Sequence, residues 1–132
     1  MFIDPDGRQR KDTSASIFES MLLSEAWKDL TDKQRVLYLV CKAQYYGHRK
    51  PRQDYEEENM QGDDCFYLSW HQVGKQGNAY QLYSKENSAR FYKDMDRLIE
   101  NGLIEKVMSG KSHKVKSVYR FSDKWRTWTK VN

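Results

Sequence analysis

The sequence predicts an α+β fold in which two strong helices are separated by shorter elements and followed by a β-hairpin. Three observations support this: an apolar helical stripe behind a capping box at Thr31, a second stripe that ends before Gly102, and two apolar segments flanking the turn at residues 109–111. The chain has 132 residues, 38% of them hydrophobic, which suits one ordinary core. We therefore expect a flexible N-terminal arm at residues 1–15 and a single domain at residues 16–132.

Local signals assign the elements of the first half. Apolar positions at residues 16–30 recur at three- and four-residue steps and predict one or two short helical turns. Thr31 and Gln34 fit a capping box, so a helix is predicted at about residues 32–46. Residues 48–64 show no periodicity and predict a long, mobile surface loop.

The second half opens with weaker signals and then a strong one. Residues 66–70 are aromatic and bounded by turn residues, which predicts a short strand. Residues 71–80 are rich in glycine and predict one short helix and a turn. Ser84 fits an N-cap and Gly102 a C′ residue, so a long helix is predicted at about residues 84–101.

The chain then predicts a hairpin and a final turn. Residues 103–107 and 115–121 are expected to pair as strands, and residues 123–128 to form a helical turn that packs Trp125 or Trp128 on the core. This order of elements is that of a winged helix-turn-helix, in which the long helix faces a DNA groove and the hairpin, the wing, reaches a flanking strand.

Composition argues against several protein classes. Aromatic residues make up 14% of the chain, whereas disordered chains are poor in aromatics. No apolar run approaches the ~18–20 residues of a membrane span, and the first residues lack the order of a secretory signal. The two cysteines, Cys41 and Cys65, have no CxxC spacing, which argues against a disulfide scaffold. We expect a cytoplasmic protein that does not bind membranes.

Positive charge is concentrated towards the C-terminus. The net charge is +4, and residues 85–132 carry 12 Lys/Arg and 6 Asp/Glu, giving +6. Residues 106–122 contain five basic residues and no acid. Such a patch favours a polyanion, because each neutralised phosphate releases counterions. A solvated, lysine-rich surface is the alternative.

Two groups of residues are predicted to contact DNA. At 100° per residue the long helix turns an apolar face to the core and basic residues away from it. The predicted contacts of this helix and its first turn are Lys85, Asn87, Ser88, Arg90, Lys93 and Arg97. The predicted contacts of the wing are Lys111, Ser112, His113, Lys114 and Lys116. We expect the long helix to be the main reader of DNA. Glu86 and Asp94 are expected to add negative charge near the groove face, and if they repel phosphate, the alternative is binding that depends mainly on the wing and a basic loop.

Residues in both halves of the chain carry a resemblance to a known family. The first half reads Ala26-Trp27-Lys28-Asp29-Leu30-Thr31, then Arg35-Val36-Leu37-Tyr38 and Tyr45-Tyr46. The second half has Ser88, Tyr92-Lys93, Met95, Leu98 and Gly102-Leu103-Ile104. Over roughly residues 17–121 the chain resembles a winged helix-turn-helix DNA-binding family of Gram-positive plasmids, phages and conjugative elements. It departs from that family at Lys93, where the family usually has arginine, and in the glycine-rich segment 74–78.

The resemblance implies non-catalytic binding of double-stranded DNA by a mobile-element accessory protein in replication or DNA transfer. The alternatives are a transcriptional regulator of such an element and a winged helix that does not bind DNA but docks a protein through exposed tyrosines such as Tyr45, Tyr46 and Tyr80. Another protein of the same replication or transfer complex is a further expected partner, and dimeric or tandem binding stays open. Neither a cofactor nor a metal is expected, because the spacing of Cys41, His48, Cys65 and His71 matches no zinc template.

Overall fold

The structure, a computed structural model, describes part of the chain. The described residues are 2–3, 7, 9–10, 16–44, 65–74, 80–108 and 117–130. The helices are α1 (Glu19–Leu22), α2 (Glu25–Lys28), α3 (Asp32–Ala43), α4 (Trp70–Val73) and α5 (Ser88–Glu100), with a 3-10 turn at Lys124–Arg126. The strands are β1 (Phe2–Ile3), β2 (Gln9–Arg10), β3 (Cys65–Tyr67), β4 (Ile104–Met108) and β5 (Val118–Phe121). The predicted loop at residues 48–64 lies outside the described residues.

Capping side chains fix where α3 begins. The Gln34 N–H donates to Thr31 Oγ1 at 3.2 Å, and the Thr31 N–H donates to Gln34 Oε1 at 2.9 Å. The capping box and the predicted start at Asp32 are therefore confirmed. The helix ends earlier than predicted, at Ala43, with Gln44 as its C-cap.

The strand predicted at residues 66–70 is shorter and lies earlier. Strand β3 spans Cys65–Tyr67, and Trp70 is the first residue of α4. The Trp70 indole rests over Gly74, where a Cβ would overlap the ring, and it packs against Phe91 with 6.0 Å between ring centroids. Trp70 therefore serves helix packing instead of a strand.

The long helix α5 begins later than predicted and ends as predicted. The Asn87 N–H donates to Ser84 O at 3.0 Å, so Ser84 closes a turn and Asn87 is the N-cap. At the other end Gly102 has a φ of +79° and the Leu103 N–H donates to Leu98 O at 3.0 Å. This is a Schellman motif, and it confirms Gly102 as the C′ residue.

The three longer strands form one antiparallel sheet in the order β3-β5-β4. Tyr119 on the central strand faces Phe66 on one side and Lys106 on the other. The hairpin of β4 and β5 confirms the predicted pairing, while its turn residues 109–116 lie outside the described residues. A separate short ladder pairs β1 with β2 inside the predicted arm, whose flexibility stays a prediction.

The core joins α2, α3, α4 and α5 to one face of the sheet. Phe66 stacks on Phe121 at 4.6 Å, and Tyr38 meets Phe121 edge-on at 5.9 Å. Trp125 in the 3-10 turn is 4% exposed, and its backbone N–H donates to Gly102 O at 3.0 Å. The predicted packing of this turn is therefore confirmed. The fold is α+β, as predicted. Every helix among the described residues is too short or too polar to cross a membrane.

Candidate nucleic-acid interface

The beginning of α5 presents an exposed basic surface. Lys85, Asn87, Arg90 and Lys93 are exposed, and Ser88 is half-buried. The side chain of Asn87 makes no capping hydrogen bond, so its amide is not consumed by the helix. The first N–H groups of any helix also lack partners inside the helix, and this adds hydrogen-bond donors to the surface. We call Lys85, Asn87, Ser88, Arg90 and Lys93 the α5 entry surface.

The later start of α5 changes the position of two predicted contacts. Lys85 lies in the turn before the helix, and Asn87 caps the helix instead of occupying its first turn. Both residues are still within a few positions of Arg90 and Lys93 in the sequence. The prediction that Lys85 and Asn87 sit in the first turn is wrong, because the turn closed by Ser84 occupies the residues assigned to it.

Asp94 is buried and so is not on the exposed face of α5, although its carboxylate stays close to that face beside Arg90. The residue is 1% exposed, and its side chain accepts hydrogen bonds from Tyr83 Oη at 2.6 Å and Gln34 Nε2 at 3.0 Å. These donors compensate for the loss of water around a buried carboxylate. Burial, and then the bond to Asp94, raises the pKa of Tyr83, so the phenol keeps its proton and remains a donor. The helix therefore carries less negative charge towards solvent than the sequence predicted.

Arg90 is held by Asp94 and still reaches the surface. Its Nε lies 3.6 Å from Asp94 Oδ1, while the Arg90 side chain remains 56% exposed. A buried carboxylate thus anchors the inner edge of the guanidinium at the start of the exposed face. Planar guanidinium groups form paired hydrogen bonds with guanine or phosphate, so restricting this side chain favours recognition of DNA.

The predicted basic stripe does not continue to the end of α5. Arg97 Nη1 lies 3.4 Å from Glu100 Oε2 and 3.8 Å from Asp29 Oδ2. Asp96 and Glu100 are both exposed on this half of the helix. Arg97 is therefore neutralised by acids of the same chain, and the second half of α5 suits phosphate poorly.

Asp29 organises the contacts around Arg97. It accepts a hydrogen bond from Asn101 Nδ2 at 3.1 Å and pairs with Lys130 Nζ at 3.4 Å. The hydrogen bond from Asn101, and then the charges of Lys130 and Arg97, lower the pKa of Asp29, although partial burial opposes them. Sequence reasoning missed this cluster because its members lie far apart along the chain.

The wing contacts lie outside the described residues. These are Lys111, Ser112, His113, Lys114 and Lys116. The strands on either side are paired as far as Met108 and Val118, so the described sheet leads into the wing from both sides.

The described residues contain no cluster of three or more His, Cys, Asp or Glu side chains that could hold a metal ion. Cys41 and Cys65 are both free and buried, and burial raises the pKa of the Cys41 thiol. His48 lies outside the described residues, as does the side chain of His71.

Comparisons of the chain with protein-family models, with curated proteins and with solved structures find no match.

Proposed function

We propose that this chain is a winged helix-turn-helix protein that binds double-stranded DNA without catalysing a reaction. The α5 entry surface carries the proposal, since it places Lys85, Lys93 and the Asp94-paired Arg90 beside an unbonded Asn87 amide at the start of the longest described helix, with one exposed acid, Glu86, among them. In helix-turn-helix proteins the first residues of the recognition helix contact base edges. The element order α3-β3-α4-α5-β4-β5 and the strand order β3-β5-β4 are compatible with a winged helix.

The proposed DNA contacts are of two kinds, those to base edges and those to phosphates. Arg90 and Asn87 suit base edges, because arginine pairs with guanine and asparagine with adenine in the major groove. Lys85 and Lys93 suit the phosphates on either side of the groove, and the lysines of the wing suit the next phosphate strand. Arg97 is assigned a structural role on account of its acidic neighbours.

The cellular role follows from the resemblance to proteins of mobile elements. An accessory protein that assembles on DNA during replication or transfer is the first choice, and a transcriptional regulator is the second. Both roles need the same DNA surface, so the binding experiment below comes before any experiment that separates them.

A protein-docking role is the second candidate function, and exposed apolar side chains favour it. Val36 and Leu39 on α3 are about half exposed, although α3 is otherwise a core helix. Of the tyrosines predicted for such a contact, Tyr80 is exposed and accepts a hydrogen bond from Gln44, while Tyr45 and Tyr46 lie outside the described residues.

The salt dependence of DNA binding tests the proposal. Binding to a random duplex of about 30 base pairs is measured by fluorescence anisotropy at several salt concentrations, because each phosphate contact steepens the slope of log affinity against log salt by about 0.9. We expect Lys93→Gln to reduce that slope by about one contact and Lys111→Glu with Lys114→Glu to reduce it further. Arg97→Gln is the matched control on the same helix and should leave the slope unchanged.

Two results would reject the proposal in different ways. Absence of binding by the wild type at low salt rejects DNA binding and directs attention to the apolar face of α3. If Arg97→Gln lowers the slope as much as Lys93→Gln does, DNA is bound but the α5 entry surface has been placed wrongly.

A further inference from the structure

Tyr83 brings a cation of α3 to the edge of the α5 entry surface. Its ring is almost fully buried and packs edge-on against Phe91 of α5, with 5.8 Å between the ring centroids. Its backbone N–H donates to Val73 O of α4 at 3.1 Å. Contacts with two helices therefore fix the position of this ring, and Lys33 Nζ of α3 lies 5.0 Å from its centre.

The buried carboxylate of Asp94 connects this ring to Arg90. Tyr83 Oη donates to Asp94 Oδ2 at 2.6 Å, and Arg90 Nε lies 3.6 Å from Asp94 Oδ1. Gln34, the residue after Lys33 in α3, donates to the same carboxylate at 3.0 Å. Lys33 and Arg90 thus come from two helices and are linked through the same pair of buried side chains.

The charge of Lys33 is available to a ligand. The residue is exposed, and no described residue forms an ion pair with it. Its neighbour Asp32 pairs with Arg35 at 3.6 Å instead. The cation–π contact with Tyr83 restricts the lysine side chain but does not neutralise its charge. Lys33 differs in this respect from Arg97, whose charge is offset by carboxylates.

A cation at this place suits the DNA backbone. In helix-turn-helix proteins the recognition helix lies in the major groove, while an earlier helix crosses the backbone. Helix α3 precedes α5 and packs against it. A duplex whose groove receives Arg90 therefore brings a phosphate strand towards the start of α3. The compact ammonium of a lysine binds phosphate as a point charge.

We propose that Lys33 is a further DNA contact of this chain and pairs with a backbone phosphate beside the groove that receives Arg90. This inference rests on the proposed function, because it adds a second helix to the same interface. Phosphate contacts carry no sequence information, so Lys33 contributes to affinity and not to base preference.

The salt dependence of binding by the full chain to a duplex of about 30 base pairs tests Lys33 directly. We expect Lys33→Gln to reduce the slope of log affinity against log salt by about 0.9, the effect of one phosphate contact. It should weaken binding equally for duplexes of different sequence. Lys33→Arg keeps the charge and should keep the wild-type slope, whereas a purely structural role of Lys33 would not make the slope depend on its charge.

Lys28→Gln is the matched control. Lys28 is also an exposed lysine, and no described residue forms an ion pair with it. It lies on another side of α3, where Arg35 Nη2 donates to its carbonyl oxygen at 3.3 Å. At 100° per residue, Arg35 and Lys33 point away from each other, so Lys28→Gln should leave the slope unchanged.

The outcomes separate this inference from the proposed function. If Lys93→Gln reduces the slope and Lys33→Gln does not, the Lys33 contact is rejected and the proposed function stands. A reduction by Lys28→Gln as large as that by Lys33→Gln rejects the contact as well, and so does a loss of affinity in Lys33→Gln that is confined to some sequences. Absence of binding by the wild type at low salt rejects both.

Discussion

Asn101, the C-cap of α5, is a polar side chain that links the end of this helix to α2. It is fully buried, and its Nδ2 donates to Ala26 O at 2.9 Å as well as to Asp29. Its Oδ1 has no hydrogen-bond partner among the described residues. An unmet buried acceptor costs about 1–3 kcal/mol, so the two donated bonds must offset that cost. Asn101 thereby ties the last turn of α5 to α2.

Gly102, next in the chain, is expected to tolerate no side chain. Its φ of +79° is unfavourable for other residues, and an added Cβ would lie 2.7 Å from Trp125 N and 2.8 Å from Lys124 C. We expect Gly102→Ala to lower the free energy of unfolding by more than the about 1–2 kcal/mol of a left-handed conformation alone. Urea denaturation measures the change.

Gly7 provides the matched control for this substitution. It also has a positive φ, +88°, but no atom lies within 4 Å of an added Cβ. Gly7→Ala adds no steric overlap and lies in the predicted arm, so it should lower the free energy of unfolding by no more than the conformational cost, about 1–2 kcal/mol. Equal losses in both variants would show that close packing against the 3-10 turn is unimportant.

Gln34 couples two helices. Its Oε1 completes the capping box of α3, while its Nε2 donates to the buried Asp94 of α5. The capping box alone could use either glutamine or glutamate, but only the amide can also donate to a carboxylate. The choice of residue at the N-terminus of α3 thus helps to fix the helix that carries the α5 entry surface.

The substitution Gln34→Glu separates these two roles. It keeps an acceptor for the Thr31 N–H but places a second carboxylate beside Asp94, so we expect a loss of about 1–3 kcal/mol in the free energy of unfolding. Gln34→Ala removes both contacts without adding charge and should be the milder change. Thermal unfolding at neutral pH measures the stability of both variants. If Gln34→Glu is as stable as the wild type, the hydrogen bond to Asp94 contributes nothing to stability.

Local signals predicted the ends of elements where the stabilising contacts are themselves local. The start of α3 and the end of α5 depend on residues within a few positions, Thr31 with Gln34 and Leu98 with Gly102, and both predictions are confirmed. The start of α5 was predicted wrongly because serine favours helix caps and turns alike. Asp94 was assigned to the surface because its donors, Tyr83 and Gln34, reach it only in the folded chain.

In the candidate site, too, features set by neighbouring residues could be predicted, and features set by residues distant in sequence could not. Exposure of Arg90 and Lys93 followed from helical periodicity, as did burial of Phe91. The neutralisation of Arg97 could not be predicted, since Asp29 belongs to another helix. The wing was assigned from its charge and its position between two strands, and it stays a prediction.

At the scale of the whole molecule, Asp29 joins three separate parts of the chain. It lies just after α2 and contacts Asn101, Arg97 and Lys130, while the Lys130 N–H also donates to Glu25 in α2. Its pKa is lower in the folded chain than its ordinary value of 3.8. The stabilisation from Asp29 is therefore present above that value and is lost as the pH falls through the folded one.

Acid titration of stability tests this role. We expect Asp29→Asn to lower the free energy of unfolding by about 1 kcal/mol at pH 7, and the gap from the wild type to shrink below about pH 4. Urea denaturation at about pH 7, 5 and 3 measures the gap. Asp32→Asn is the control, because that carboxylate is fully exposed, and its removal is expected to leave stability close to that of the wild type at each pH. A gap of the same size at every pH would contradict the role given to Asp29.

The central position of β5 has a consequence for how the chain folds as it is synthesised. In the described sheet, β3 and β4 each pair with β5 and not with each other, and Cys65 meets Arg120 across 55 positions of sequence. While a ribosome is still adding the residues before Val118, β3 and β4 both lack their partner. The nascent chain can form α3 early, but its sheet can close only after Phe121 has left the exit tunnel. A messenger RNA that ends between the codons of β4 and β5, or a ribosome that stalls there, therefore yields a chain with exposed strand edges. Chaperones and proteases remove products of this kind.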